Sequence, residues 1–269
     1  ANGIRHHIVD RGNPSAPHML FVHGWDGNAH YFDRVVPNLS NRFHVVAVTL
    51  RGRGKSGEDP SGVYSFYEYE KDLSIISNKL KMDKLVFVGA SLGGMVGIVY
   101  AANHPDQVNK LILVDIGAQL GGDNPSPNYK GMQAAPSFFD SLEEAEQWLR
   151  KWSNYQNLPQ ESMEICLREH FWLRDDGKWA WTYADRLRSL REKYSVEELF
   201  PKQWDRLNDI KCPTLVIHAA NSQSTLQSVA ERTAEEIPRG QLVQLQNTSH
   251  FPFLETPEAF IIALNDFLG

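Results

Sequence analysis

The sequence predicts an α/β protein: a mostly parallel sheet flanked by helices, with a helical cap inserted into it. Three observations carry that prediction. Short apolar runs at 18–22, 85–88, 111–114 and 212–218 alternate with stretches of helical spacing, as strands covered on both faces do. The run at 85–88 passes through Gly89-Ala90-Ser91-Leu92-Gly93 straight into a helix of small and apolar residues. The alternation then breaks off between 117 and about 204, and resumes at Cys212.

The length, 269 residues, suits one large domain or a core with an inserted subdomain, and a hydrophobic fraction of 42% is enough for a real core. A net charge of −6 leaves no electrostatic footprint for nucleic acid, and no Lys/Arg run invites an anionic membrane. No apolar run is long enough to span a bilayer, and the first residues, ANGIRHHIVDRGNP, hold no signal-peptide core. The two cysteines, Cys166 and Cys212, are far apart without metal-ligand spacing, and are read as reduced packing residues of a cytoplasmic protein. No repeat or low-complexity segment interrupts the chain, and no metal or cofactor is expected.

Taken in order, a strand in 4–10 closes in the turn Arg11-Gly12-Asn13-Pro14. His6 and His7 fall on opposite faces of such a strand, so they cannot share a metal and read as strand surface or a tag remnant. The strand 18–22 breaks into His23-Gly24-Trp25-Asp26-Gly27-Asn28. A strand at 43–49 leads to Arg51-Gly52-Arg53-Gly54-Lys55-Ser56. Its Gly-Lys-Ser end mimics a phosphate loop, but that motif needs a glycine where Thr49 stands, which excludes it. Tyr69, Leu73, Ile76 and Leu80 give 67–80 a helical face. At the G-x-S-x-G turn, Ser91 must occupy strained backbone, which lifts its hydroxyl clear of the sheet. The helix start behind it supplies N–H groups and partial positive charge where an oxyanion forms. Asp115 closes the strand 111–114 and so emerges on the same sheet edge as Ser91.

The interruption divides the chain into a core, 1–117 with 205–269, and a cap, 118–204. Gly121-Gly122-Asp123-Asn124-Pro125-Ser126-Pro127 reads as a flexible entrance to the cap, and Leu142, Ala145, Trp148, Leu149 and Trp152 share one helix face. Six of the seven tryptophans lie in this region: Trp148, Trp152, Trp172, Trp179, Trp181 and Trp204. Most are read as the cap's own core, with one or two lining a pocket. The pocket candidates are Trp148, Trp152 and Trp181, joined by Trp25 and Phe251. Beyond the cap come a strand at 212–218, a helix at 226–237, a strand at 241–246, and a loop holding His250 before the last helix.

Residues 89–93 resemble the nucleophile elbow of the α/β-hydrolase fold, 23–28 its oxyanion loop, and 51–56 its R-G-x-G-x-S loop. The His250 loop, with its Glu255-Thr256-Pro257-Glu258 helix entry, resembles the family's base position. The resemblance covers nearly the whole chain, loosely in the cap. It implies Ser91 as nucleophile, His250 as base, the N–H groups of Trp25 and Leu92 as oxyanion hole, and His23 as a brace of the loop. One departure matters. The loop after the penultimate strand, 219–225, reads AANSQST, without the carboxylate that most members carry there. Asn221, Ser222 and Gln223 could orient an imidazole but not compensate its charge. Members that place the acid after the strand following the elbow offer the alternative, and Asp115 occupies that position. The order Ser91, Asp115, His250 resembles amidohydrolases of the 2-(acetamidomethylene)succinate hydrolase kind, and also cofactor-free dioxygenases of heteroaromatic rings.

The leading functional reading is therefore a serine hydrolase, carboxylesterase- or amidohydrolase-like, acting on a small, partly apolar ester or amide. The second is a cofactor-free dioxygenase in which His250 and Asp115 deprotonate a hydroxylated N-heteroaromatic ring. The third is a receptor-like or inactive hydrolase fold. Arginines of the cap, Arg150 and Arg168 among them, are read as solvated helix faces that leave room for a substrate carboxylate. A small-molecule substrate is the expected partner, without nucleic acid or membrane, and the oligomeric state stays open.

Overall fold

The computed structural model describes residues 1–120, 134–193 and 199–269. Among these, ten strands run β1 Ile8–Arg11, β2 His18–Val22, β3 His44–Val48, β4 Leu85–Ala90, β5 Val108–Val114, β6 Phe138–Phe139, β7 Phe171–Leu173, β8 Trp179–Trp181, β9 Thr214–Ala219 and β10 Gly240–Leu245. The helices are α1 Val36–Leu39, α2 Phe66–Lys79, α3 Leu92–Asn103, α4 Leu142–Leu149, α5 Ser153–Gln156, α6 Gln160–His170, α7 Asp185–Lys193, α8 Gln227–Glu236, α9 Pro252–Glu255 and α10 Pro257–Leu268.

Seven strands form the central sheet in the order β1-β3-β2-β4-β5-β9-β10, with only β1 antiparallel. Because strand side chains alternate, Met19 and Phe21 join one core cluster while Leu20 and Val22 join the other. α10 covers the first face through Phe260 and Leu264; α2, α3 and α8 cover the second through Leu73, Val96 and Ala230. Ser65 caps α2 with its hydroxyl on the Glu68 N–H, the S-x-x-E signature of a helix start. The chain moves from β2 outward to β3 and then returns to β4 on the other side of β2. That reversal opens a crevice at the carboxyl ends of β2 and β4, where ligands of open α/β sheets bind.

The stretch between β5 and β9 is not purely helical. Beside α4–α7 it contains a small antiparallel sheet, β6-β8-β7. The missed signal is the turn Arg174–Lys178, where Asp176-Gly177 puts Gly177 at φ +79° between two aromatic-rich runs. At the end of this stretch, the Arg232 guanidinium of α8 lies over the Trp204 ring at 3.9 Å, and the Trp204 indole donates to Gln119 at 3.0 Å. The expected entrance at 121–127 lies outside the described residues. His6 and His7 precede β1 rather than alternating on it. His6 Nε2 lies 3.3 Å from Asp72 and His7 Nδ1 3.1 Å from Thr49 Oγ1, so both anchor the N-terminal segment. Cys166 and Cys212 are buried free thiols. No described helix is long and apolar enough to cross a membrane.

The loop after β3 is fixed by Arg51, which is 1% exposed. Its guanidinium grips Asp72 of α2 with two bonds of 2.6 and 2.7 Å and Asp59 with a third of 2.6 Å. Burial alone raises the Asp72 pKa, but hydrogen bonds from His6 and Arg51 outweigh it and hold the carboxyl below its ordinary range. A depressed folded-state pKa contributes stability above the unfolded value, roughly pH 4, and that contribution is lost as pH falls through the folded value. Asp72→Asn should lower stability at pH 7 by about 3 kcal/mol, because it leaves Arg51 buried with a weakened partner. In urea melts from pH 7 to pH 3, the variant should also lose part of the parent's decline below pH 4; an unchanged decline contradicts the assignment.

Candidate active site

Ser91, one position past the end of β4, stands at φ 50° and ψ −118°, backbone that a non-glycine residue adopts only under strain of about 1–3 kcal/mol. Packing enforces it. A Cβ on Gly89 would lie 2.3 Å from the Gly93 carbonyl oxygen, and one on Gly93 would lie 2.2 Å from that of Val22. Only glycines let α3 start this close to β2 and β4. Asp115, at φ 47°, is a second strained residue, one position past the end of β5. Ala90 and Val114 are register partners, so Ser91 and Asp115 leave adjacent strands side by side.

Asp115 is fully buried and each of its carboxylate oxygens is occupied. Oδ1 accepts from the Ala219 N–H at 3.0 Å, while Oδ2 accepts from Ser222 Oγ at 2.5 Å and from His250 Nδ1 at 2.7 Å. A carboxylate can only accept here, so Nδ1 of His250 carries a hydrogen, and the neutral ring has its lone pair on Nε2. The loop 219–225 therefore does not hold the imidazole; it holds the carboxylate. Asn221 and Gln223 are exposed, whereas Ser222 Oγ accepts from the N–H groups of Ser224 and Thr225, which turns its own hydrogen toward Asp115. Thr225 Oγ1 adds a 2.6 Å bond to the Asp115 carbonyl. Sequence reasoning had Ser222 as a possible orienter of the imidazole rather than a donor to Asp115 and missed Thr225, although Ser-x-Ser-Thr is the composition of a hydroxyl-centred turn.

The loop after β2 passes against the serine: a Cβ on Gly24 would sit 3.2 Å from Ser91 Cβ. His23 is fully buried and committed on both sides. Its Nε2 accepts from the Leu50 N–H at 3.0 Å, and its Nδ1 donates to the Gly24 carbonyl at 2.6 Å. Burial first, then the neighbouring Arg53, lowers its pKa to about 3, so it stays neutral and braces the loop. Its bond to Gly24 polarises the peptide group that carries the Trp25 N–H. The Leu92 N–H heads α3, among the first-turn donors that no helix satisfies internally.

The pocket candidates divide. Trp148 stacks near Trp152 at 5.4 Å and Trp181 at 5.7 Å, forming an aromatic cluster with Phe139. Phe251 lies 5.0 Å from the His250 ring. Trp25 packs elsewhere, against Phe200 at 5.3 Å and under the Arg53 guanidinium. A separate cavity of about 970 Å³, between loop 52–58 and the β7–β8 hairpin, is lined by Trp172, Trp181 and Lys55 but by none of Ser91, Asp115 or His250. Among the described residues no cluster of His, Cys, Asp or Glu could hold a metal ion.

A seven-stranded sheet with a strained serine at its switch point and an imidazole–carboxylate pair on the same edge defines the α/β-hydrolase class. The alpha/beta hydrolase fold family model matches residues 17–257, and the chain belongs to that family. It is 24% identical, over 96% of its length and 90% of the relative, to the 2-(acetamidomethylene)succinate hydrolase of Mesorhizobium japonicum. It is 26% identical, over 95% of its length and 96% of the relative, to the pimeloyl-[acyl-carrier protein] methyl ester esterase of Nitrosomonas europaea. The crystal structure of E-2-(acetamidomethylene)succinate hydrolase superposes with a TM-score of 0.83 at 22% identity, covering 98% of this chain and 95% of that one.

Asp115→Asn should lower kcat by up to about 10⁴-fold, because it removes both the tautomer lock and the compensating charge. Ser222→Ala should cost roughly tenfold, about 1.4 kcal/mol, and Asn221→Ala or Gln223→Ala far less. In the Asp115→Asn background, Ser222→Asp should restore turnover and Gln223→Asp should not, since only position 222 reaches the imidazole's partner. Steady-state kinetics of the six variants check the set; rescue from position 223 alone would contradict it.

Proposed function

We propose that the protein is a serine hydrolase cleaving a small ester or amide. Ser91 attacks the carbonyl while His250 takes its proton, and Asp115 orients the imidazole and compensates the imidazolium. The N–H groups of Trp25 and Leu92 receive the oxyanion, and water then releases the acyl group. The observation that carries this reading is the 2.7 Å His250–Asp115 contact beside a serine held at φ 50°. The relatives support it: one is a methyl ester esterase, another a hydrolase of 2-(acetamidomethylene)succinate. In this reading residues 118–204 act as a cap, and Phe251, Trp148, Trp152 and Trp181 shape a partly apolar small-molecule pocket. Two buried free thiols suit a reducing compartment, and we assign the enzyme to the cytoplasm.

One observation favours a second reading. Ser91 Oγ forms no hydrogen bond among the described residues, and a cofactor-free dioxygenase needs His250 and Asp115 but no serine nucleophile. Catalytic hydrogen bonds are commonly loose without substrate, so the hydrolase reading stands first. Ser91→Ala separates the two. Hydrolysis of short p-nitrophenyl esters should fall by about 10⁴-fold or more with folding intact. Oxygen uptake on hydroxyquinolones that survives Ser91→Ala, with no esterase activity in the parent, selects the dioxygenase.

The cap should set selectivity. Trp148→Leu, Trp152→Leu and Trp181→Leu should shift relative kcat/KM among acyl chain lengths by roughly 10-fold or more, the range a few methylenes are worth. Ser91 should still label with a fluorophosphonate in each. Loss of labelling in every soluble variant would show instead that these rings build the catalytic geometry.

A further inference from the structure

The oxyanion loop is held at three consecutive residues. His23 binds the Gly24 carbonyl, and Arg53 Nε binds the Trp25 carbonyl at 2.6 Å. Both of these holds come from the core. The third falls on Asp26, whose carboxylate accepts the hydroxyl of Tyr155, a residue of α5. Tyr155 belongs to a buried chain: its oxygen lies 3.0 Å from the Tyr31 oxygen, and Tyr31 is hydrogen-bonded to His170 Nε2 at the end of α6. Tyr31, Tyr155 and His170 are all at most 4% exposed.

The direction of every hydrogen in this chain follows by elimination. Tyr155 gives its one hydroxyl hydrogen to Asp26, so toward Tyr31 its oxygen can only accept. Tyr31 must then spend its hydrogen on Tyr155, and its oxygen accepts from His170. The His170 proton accordingly sits on Nε2, and Nδ1 keeps a lone pair, the buried atom without a partner. Burial, with Asp26 and Cys166 adding to it, raises both tyrosines well above their ordinary pKa, and burial lowers His170 to about 4. Across the physiological range the chain is thus one fixed relay of neutral donors ending on a carboxylate, each bond polarising the next.

We propose that Tyr155 is a positioning residue: through Asp26 it latches the oxyanion loop from the cap side, so the loop is fully held only when α5 and α6 are seated. A ring pair of Phe and Leu would fill the same space without polar groups to satisfy. What the phenols add is a directional tie to the residue next to Trp25. Tyr155 also packs on Phe251 at 5.4 Å, and Phe251 on His250, so the same side chain borders the imidazole. The inference rests on the hydrolase reading, because only there must the Trp25 N–H be placed accurately for charge developing on a carbonyl oxygen.

The test compares the parent with Tyr155→Phe, Asp26→Ala and the double variant, each titrated with a fluorophosphonate so that rates refer to labelled sites. A phosphonyl oxygen uses the oxyanion hole as a carbonyl oxygen does. Tyr155→Phe keeps the ring and should lower kcat and the labelling rate together, about 10- to 100-fold, with KM changed less than about threefold. The double variant should be no slower than the slower single, since both cut one bond. Three results overturn the latch: a kcat within twofold of the parent, a loss confined to KM, or additive losses in the double variant. No labelling of Ser91 in the parent overturns the hydrolase reading, and the latch with it.

Discussion

A carboxylate without solvent exposure costs several kcal/mol unless its lone pairs are occupied, and Asp115 meets that condition by drawing on two other loops. Its oxygens take the Ala219 N–H, the Ser222 hydroxyl and the His250 Nδ1–H. These groups come from the last residue of β9 and the loops after β9 and β10, so the arrangement requires the registers Val114↔Ile217 and Ala219↔Leu245 to be kept together. A one-residue slip would turn each side chain to the opposite face of the sheet. Asp115 itself sits at φ 47°, a conformation the surroundings must impose.

Where the usual acid is missing, the loop 219–225 has not become idle. It supplies the hydrogen bonds that let a carboxylate on the neighbouring strand be buried and aimed. The same economy is visible at the loop after β2, where a neutral histidine and a buried arginine each take one backbone carbonyl. Arg53 also lies between the Trp25 and Tyr69 rings at 5.1 and 5.2 Å, which leaves little freedom at Trp25. Strain at Ser91 and rigidity at residues 23–28 are two sides of one packing problem, the close approach of α3 to β2 and β4.

The insertion is tied to this framework by specific polar contacts. Ser162 donates to the Leu254 carbonyl at 2.6 Å, Ala184 N–H reaches the Gly52 carbonyl at 2.8 Å, and Tyr155 reaches Asp26. Its aromatic rings pack mostly on one another, so they can be exchanged without rebuilding the sheet.

The strands and helices of the sheet were legible in the sequence because local signals agree with the tertiary outcome there. The 212–218 run became β9 Thr214–Ala219, and the 67–80 spacing became α2 Phe66–Lys79. Ser91 and His250 were legible as candidates through the resemblance of their local motifs, and Asp115 through its place at a strand end on the same sheet edge. The β6-β8-β7 sheet was not, since its strands are two or three residues long and exert almost no periodicity. Nor were Ser222 as donor to Asp115, or Tyr155 as partner of Asp26. Those contacts join residues 107 and 129 positions apart, and no local pattern of hydroxyls says which buried carboxylate each will meet. By itself the sequence determined the alternation, the glycines of the elbow and the chemistry-bearing side chains, all of which act through neighbours along the chain. Only the tertiary structure decided which oxygen each hydroxyl serves, because a hydrogen bond depends on distance in space.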